Sequence, residues 1–103
     1  MATEAPIEFM EPRKKGYTVY AKTGCQYCTQ VKSLLKTVEF FIIDCDPYLV
    51  AHREPFLEWM RNLAGKEVKT FPMVFHNGKF LGGFRETQEY YDTLDAFSYI
   101  DNF

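Results

Sequence analysis

A chain of 103 residues is long enough for one domain with a single modest core. With 47% hydrophobic and 25% charged residues it is not a disordered sequence, and at 17% aromatic its core should be filled largely by rings. Twelve basic residues against fourteen acidic ones give a net charge of −2, without the basic excess of a nucleic-acid binder, and no apolar run is long enough to cross a bilayer.

Residues 1–15 combine acids, Pro6, Pro12 and the cluster Arg13-Lys14-Lys15. They read as a flexible, exposed arm with one short turn around Ile7 to Met10. They lack the basic region and apolar stretch of a secretory signal. Residues 16–103 read as the folded domain. Three cysteines are too few for a disulfide scaffold, so the expected setting is reducing and cytoplasmic.

Gly16 opens a β-branched and aromatic strand, Tyr17 to Ala21. A helix follows from Cys25. Cys28, Val31, Leu34, Leu35 and Val38 repeat at helical spacing along one face. Glu39 to Asp44 is a continuous apolar run closed by acids, which suits a fully buried parallel strand. Together these make a βαβ unit. Asp46-Pro47 reads as N-cap and first helical residue of a second helix, and Gly65 as its stop. Its apolar face is Leu49, Val50, Phe56, Leu57, Met60, Leu63 and Ala64, and Pro55 should kink or split it. Thr70 to Phe75 and Phe80 to Gly83 flank Asn77-Gly78, a strong hairpin signal. A last helix runs from about Thr87, burying Tyr90, Tyr91, Leu94, Phe97 and Ile100. The order is βαβαββα, an α/β domain.

The chemistry concentrates in Lys22-Thr23-Gly24-Cys25-Gln26-Tyr27-Cys28. Two thiols at this spacing can close a disulfide if the turn brings their Cα atoms together. At a helix N-terminus, free N–H groups and the macrodipole favour thiolate over thiol. Cys25 falls near the exposed tip, and Cys28 leans one turn inward. The residues alone leave redox chemistry and metal binding both open.

Lys22-x-x-Cys25-x-Tyr27-Cys28, Thr70-x-Pro72 and Gly82-Gly83 occur in that order within the pattern of strands and helices. With these features the chain from residue 16 to 103 resembles a glutaredoxin, a small thioredoxin-fold protein that exchanges thiols and disulfides using glutathione. The resemblance implies a thioredoxin-like, four-stranded mixed sheet flanked by helices. It implies that Cys25 is the nucleophile, Cys28 the resolving cysteine and Pro72 a cis-proline facing the thiols. Phe71 would pair its backbone with the cysteinyl part of glutathione, and Lys22 would meet the glycine carboxylate. Tyr27 would stand beside the site, Lys69 and Thr70 would line the groove, and Gly83, Phe84, Arg85 and Glu86 would hold the γ-glutamyl end. The implied partners are glutathione and disulfide-bearing proteins, handled by a monomer, with no nucleic acid and no membrane. Lys22, Lys69 and Arg85 would also draw the Cys25 pKa down from about 8.5 toward the roughly 3.5–7.5 range of activated cysteines.

Two departures matter. Gln26 stands where dithiol members commonly carry proline, and some members without that proline hold a [2Fe–2S] cluster between two subunits. A cluster-binding dimer is therefore an alternative, as is an electron donor reduced by thioredoxin reductase. Arg85-Glu86 stands where many members carry a small polar residue and an aspartate. The remaining residues read more plainly. Cys45 reads as a small buried thiol, His52 and His76 as surface residues, and Trp59, Tyr90 and Tyr91 as packing. A zinc site from Cys25, Cys28 and two of Cys45, His52 and His76 fits no zinc module.

Overall fold

The computed structural model describes residues 8–101, and side chains as far as residue 94. The elements are β1 (Tyr17–Ala21), α1 (Gln26–Leu34), β2 (Phe40–Asp44), α2 (Asp46–Ala51), α3 (Arg53–Ala64), β3 (Met73–His76), β4 (Lys79–Gly82) and α4 (Phe84–Asp101). They form one four-stranded sheet in the order β2-β1-β3-β4. β1 runs parallel to β2 and antiparallel to β3, so the sheet is mixed, and β4 closes a hairpin with β3. None of the described helices is long and apolar enough to cross a membrane.

The period of two along β1 divides the core. Tyr17, Val19 and Ala21 face one side with Val74, and pack on Cys28, Val31 and Leu35 of the α1 region and on Phe84, Tyr90 and Tyr91 of α4. Tyr20 faces the other side with Met73 and Phe75, and packs on Phe56 and Met60 of α3. Truncating a fully buried ring such as Phe56 to Ala would cost about 3–5 kcal/mol. Asn77 and Gly78 both take positive φ, 53° and 84°, as a two-residue type I′ hairpin turn requires.

Several expectations need correction. β2 is an edge strand, so only Ile43 along it is fully buried; the Arg13 guanidinium covers Phe41 at 3.8 Å from the ring centroid. The second helical region breaks at His52, not at Pro55. Pro55 falls in the first turn of α3, where a missing N–H costs nothing. Cys45 is the N-cap of α2 and Asp46 its first helical residue. Val50 is 88% exposed, because α2 is short and lays Leu49 and Tyr48 inward instead. α4 starts at Phe84, three residues before Thr87, and Leu94 is 41% exposed. The side chains of Phe97 and Ile100 lie outside the described residues.

Residues 8–13 do not form a free arm. Phe9 packs edge-on against Tyr48 and Phe56, with ring centroids 4.9 and 5.4 Å apart. The Tyr20 hydroxyl donates to the Met10 carbonyl at 2.6 Å, and the Arg13 N–H donates to the buried Thr18 Oγ1 at 2.9 Å. These contacts bind the strap across the α3 side of the sheet. The remainder of the expected turn around Ile7 lies outside the described residues.

Candidate active site

β1 delivers the chain to the site. After Ala21 it leaves the sheet, crosses Lys22-Thr23-Gly24, and enters α1 with Cys25 as N-cap. Cys25 has an extended backbone, φ −105° and ψ 107°, which turns its side chain back over the first turn. Its Sγ accepts the Cys28 N–H at 3.1 Å. The sulfur thus sits where a helix offers unpaired donors, and the same N–H would stabilise a thiolate. Cys25 and Cys28 form a disulfide, with Cα atoms 5.2 Å apart. Cys25 is half-buried and Cys28 buried at 2% exposure, so the outer sulfur is the accessible one. Cys45 is a free, fully buried thiol whose pKa burial pushes up to about 12, which leaves it protonated and inert.

Beside the cysteines runs an open groove of about 790 Å³. It is lined by Lys22, Tyr27, Lys69, Thr70, Phe71, Pro72, Gly83, Phe84 and Arg85, and also by Gln88. The groove therefore brings together nearly every non-cysteine residue singled out from the sequence, drawn from four separate stretches. The Phe71–Pro72 bond is cis. The Tyr27 and Phe84 rings stack across one end, 6.0 Å apart at 23°. Lys22 Nζ lies 5.8 Å from the Phe71 ring centroid. A smaller depression, about 410 Å³, is lined by Cys25, Cys28 and Lys22, so Lys22 stands at the junction between thiols and groove.

One expected residue is placed differently. Glu86 does not line the groove: its Oε1 accepts the Gly83 N–H at 2.9 Å. Because α4 begins at Phe84, Glu86 falls at the third helical position, from which a glutamate reaches back to the residue before the helix. The backbone N–H groups of Glu86 and Gly83 hold its carboxyl below the usual range. Lys69 pairs with Glu67 at 2.9 Å, and that carboxylate raises the lysine pKa; both side chains are largely exposed, so the pair adds little to stability.

Gln88 was missed because the helix was expected to begin at Thr87. A start at Phe84 would have put Phe84 and Gln88, four apart, on one face. Asp46 was missed as well. Its carboxylate accepts from both the N–H and the hydroxyl of Thr23, in the loop before Cys25. His76 is half-buried rather than a surface residue, with Nδ1 2.7 Å from the Tyr90 hydroxyl.

A mixed four-stranded sheet with a disulfide-forming Cys-x-x-Cys at the N-terminus of its first helix defines a thioredoxin-like domain. The comparisons narrow this. The family model described as Glutaredoxin matches residues 17–81. Bovine mitochondrial glutaredoxin-2 (Bos taurus) is 30% identical over 71 residues, which are 67% of this chain and 43% of the relative. Glutaredoxin-C4 of Arabidopsis thaliana is 33% identical over 78 residues, 73% of this chain and 54% of the relative. The chain spans about two fifths of the length of the mammalian mitochondrial relatives it matches. Among solved structures, glutaredoxin 1 from Francisella tularensis in complex with cacodylate superposes with a TM-score of 0.67 at 25% identity, over 77% of this chain and 94% of that one. A buckwheat glutaredoxin–glutathione complex gives 0.64 at 25% identity, over 79% and 72%. The chain belongs to the glutaredoxin family.

Proposed function

We propose that this chain is a glutathione-dependent thiol–disulfide oxidoreductase that reduces protein disulfides and glutathione mixed disulfides. The observation that carries the reading is the groove itself: cations, a cis-proline loop and a helix start converge beside the accessible Cys25. Glutathione is a small anionic tripeptide, so it needs cations for its carboxylates and backbone groups for its amides. Lys22 takes the glycine carboxylate, and Phe71 pairs its backbone with the cysteinyl residue in the manner of an added strand. Gly83, Phe84 and Arg85 receive the γ-glutamyl end at the start of α4. In this reading Glu86 acts through Gly83, which it caps. The buckwheat relative solved with glutathione supports the ligand class.

The Cys25 thiolate attacks the glutathione sulfur of a mixed disulfide. The old S–S bond breaks, the substrate leaves as a thiolate and takes a proton from solvent, and Cys25 carries glutathione. A second glutathione thiolate attacks that bond, freeing Cys25 and glutathione disulfide. With a protein disulfide, Cys25 bonds to one sulfur and the other leaves. Cys28 then attacks the Cys25 sulfur, releases the second substrate thiol and closes the Cys25–Cys28 bridge. Two glutathiones reopen it. The cysteine pair and the groove lie within one copy, which supports action as a monomer. A reducing setting, the cytoplasm, suits a chain with the free thiol Cys45.

For the iron–sulfur alternative, the chain offers one accessible thiol, Cys25. Among the described residues no three His, Cys, Asp or Glu side chains converge on a possible metal position. A [2Fe–2S] cluster shared between two copies would take one thiol from each, Cys25, with glutathione completing the donor set, and visible absorbance in anaerobically purified protein would favour this reading.

The test is turnover of a glutathionylated peptide with glutathione, glutathione reductase and NADPH. We expect steady NADPH consumption. Equal turnover with thioredoxin reductase and no glutathione would instead favour the alternative electron-donor role.

A further inference from the structure

Asp46 is the first residue of α2, on the far side of the β1–β2 pair from the groove's α4 wall, and nothing in the cysteine chemistry requires it. Yet both of its carboxylate oxygens are spent on one residue. Oδ1 accepts the Thr23 N–H at 3.0 Å, and Oδ2 accepts the Thr23 hydroxyl. Asp46 is itself held in place. Its N–H donates to Asp44 Oδ1 at 3.1 Å, and the neighbouring Cys45 N–H donates to the Ala21 carbonyl at 2.8 Å. The start of α2 is therefore joined to the end of β1 at Ala21 and to the middle of the loop Lys22-Thr23-Gly24 at Thr23.

That loop is the least constrained part of the approach to Cys25. Lys22, Thr23 and Gly24 are all exposed, and Gly24 takes φ +74° with nothing within 4 Å of where a side chain would begin. Packing does not fix its course. What depends on that course is specific. The loop sets how the chain enters Cys25, whose Sγ meets the Cys28 N–H in the observed N-cap conformation. It also sets where Lys22 stands between thiols and groove. We propose that Asp46 is a positioning residue for the active site, clamping Thr23 so that Cys25 and Lys22 are held together in reactive geometry. The inference rests on the function proposed above. The two Thr23 hydrogen bonds also hold the Asp46 carboxyl below its usual pKa, helped by the Lys22 charge and opposed by desolvation, so the clamp is ionised at neutral pH.

The clamp separates into geometry and charge. In Asp46→Asn the amide oxygen still accepts the Thr23 N–H, and the NH2 donates to the Thr23 oxygen, so the geometry survives without the charge. Asp46→Ala removes both bonds. Two readouts apply to the full chain. One is the rate of iodoacetamide alkylation of reduced Cys25 at neutral pH. The other is KM and kcat for a glutathionylated peptide. In Asp46→Ala we expect alkylation slowed roughly fivefold and KM raised roughly fivefold to tenfold, with kcat changed less than about twofold. In Asp46→Asn both readouts stay within about twofold of wild type. Should Asp46→Ala fail to fold, Thr23→Ala removes the hydroxyl half of the clamp and is expected to slow alkylation about twofold to threefold. Wild-type alkylation and KM in Asp46→Ala, or in Thr23→Ala where that variant stands in, would overturn the proposal. So would equal damage in Asp46→Asn and Asp46→Ala, which would make the effect one of charge alone. If wild type itself shows no glutathione-dependent turnover, the proposed function fails, while the alkylation rates still decide the role of Asp46.

Discussion

Glu86 reaches back over the start of α4 and accepts the Gly83 N–H, and in doing so its side chain lies directly against Gly82. A Cβ added at Gly82 would sit 2.8 Å from both Cβ and Cγ of Glu86, at a backbone φ of +135°. Cβ is fixed to the helix and cannot swing away, so the Gly82-Gly83 pair and the cap form one unit. Gly82→Ala should cost about 1–3 kcal/mol, measured as a lower urea midpoint at unchanged slope. Part of that loss should be absent when Glu86→Ala is already in place, because the clash is shared. Strict additivity would contradict the packing argument.

The cap itself is measurable. Glu86→Ala leaves the Gly83 N–H to water and should destabilise the chain by about 0.5–1.5 kcal/mol. The Glu86 carboxyl is held below its unfolded value of 4.5, so its contribution is present above that pH and is lost as pH falls through the folded value. The difference between wild type and Glu86→Ala should therefore shrink in acid. A difference that grows as pH falls would contradict the sign.

Much of this was legible in the sequence, and what was not has identifiable causes. The strands and α1 were legible because apolar periodicity and Asn77-Gly78 punctuation agree with one another. The disulfide-forming pair Cys25 and Cys28 and the groove-lining Thr70-Phe71-Pro72 were legible because residue type and spacing mark them. The cap by Glu86 was not: a carboxylate after two glycines suits a ligand or a helix N–H equally well until the helix start is fixed. Phe9 stands among acids and prolines with no period to mark it, and its partners Tyr48 and Phe56 are some forty residues away. His76 was read from its place beside a turn, and its partner Tyr90 lies on another element.

His76 and Tyr17 carry opposite pH responses. Their rings lie 4.3 Å apart at the centroids. Burial holds the His76 pKa below its ordinary 6.5, so the unfolded chain takes up the proton at higher pH than the folded one. Stability should be full above 6.5 and decline as pH falls below it. Burial pushes the Tyr17 pKa from 10.0 up to about 12, with the Tyr90 and Tyr91 hydroxyls adding to the shift, so stability should decline as pH rises above 10.0. Urea midpoints across this range should give both limbs. His76→Phe should flatten the limb just below 6.5; an unchanged limb would exclude His76 as its source.

Gln26 is the first helical residue after the Cys25 cap, a position that suits proline in both φ and missing N–H. Gln26→Pro should stabilise the chain by about 0.4–1 kcal/mol by restricting the unfolded state. The thermal midpoint should rise by a few degrees. A lower midpoint would mean that the Gln26 N–H makes a native contact that proline removes.

The central claim is that Cys25, with Cys28 behind it, is the nucleophile of a glutathione-dependent exchange. The most direct measurement is turnover of a glutathionylated peptide by Cys25→Ser and Cys28→Ser variants. Cys25→Ser should lose activity altogether, while Cys28→Ser should still remove glutathione and fail only on protein disulfides that need the second thiol. Full activity in Cys25→Ser would contradict the account.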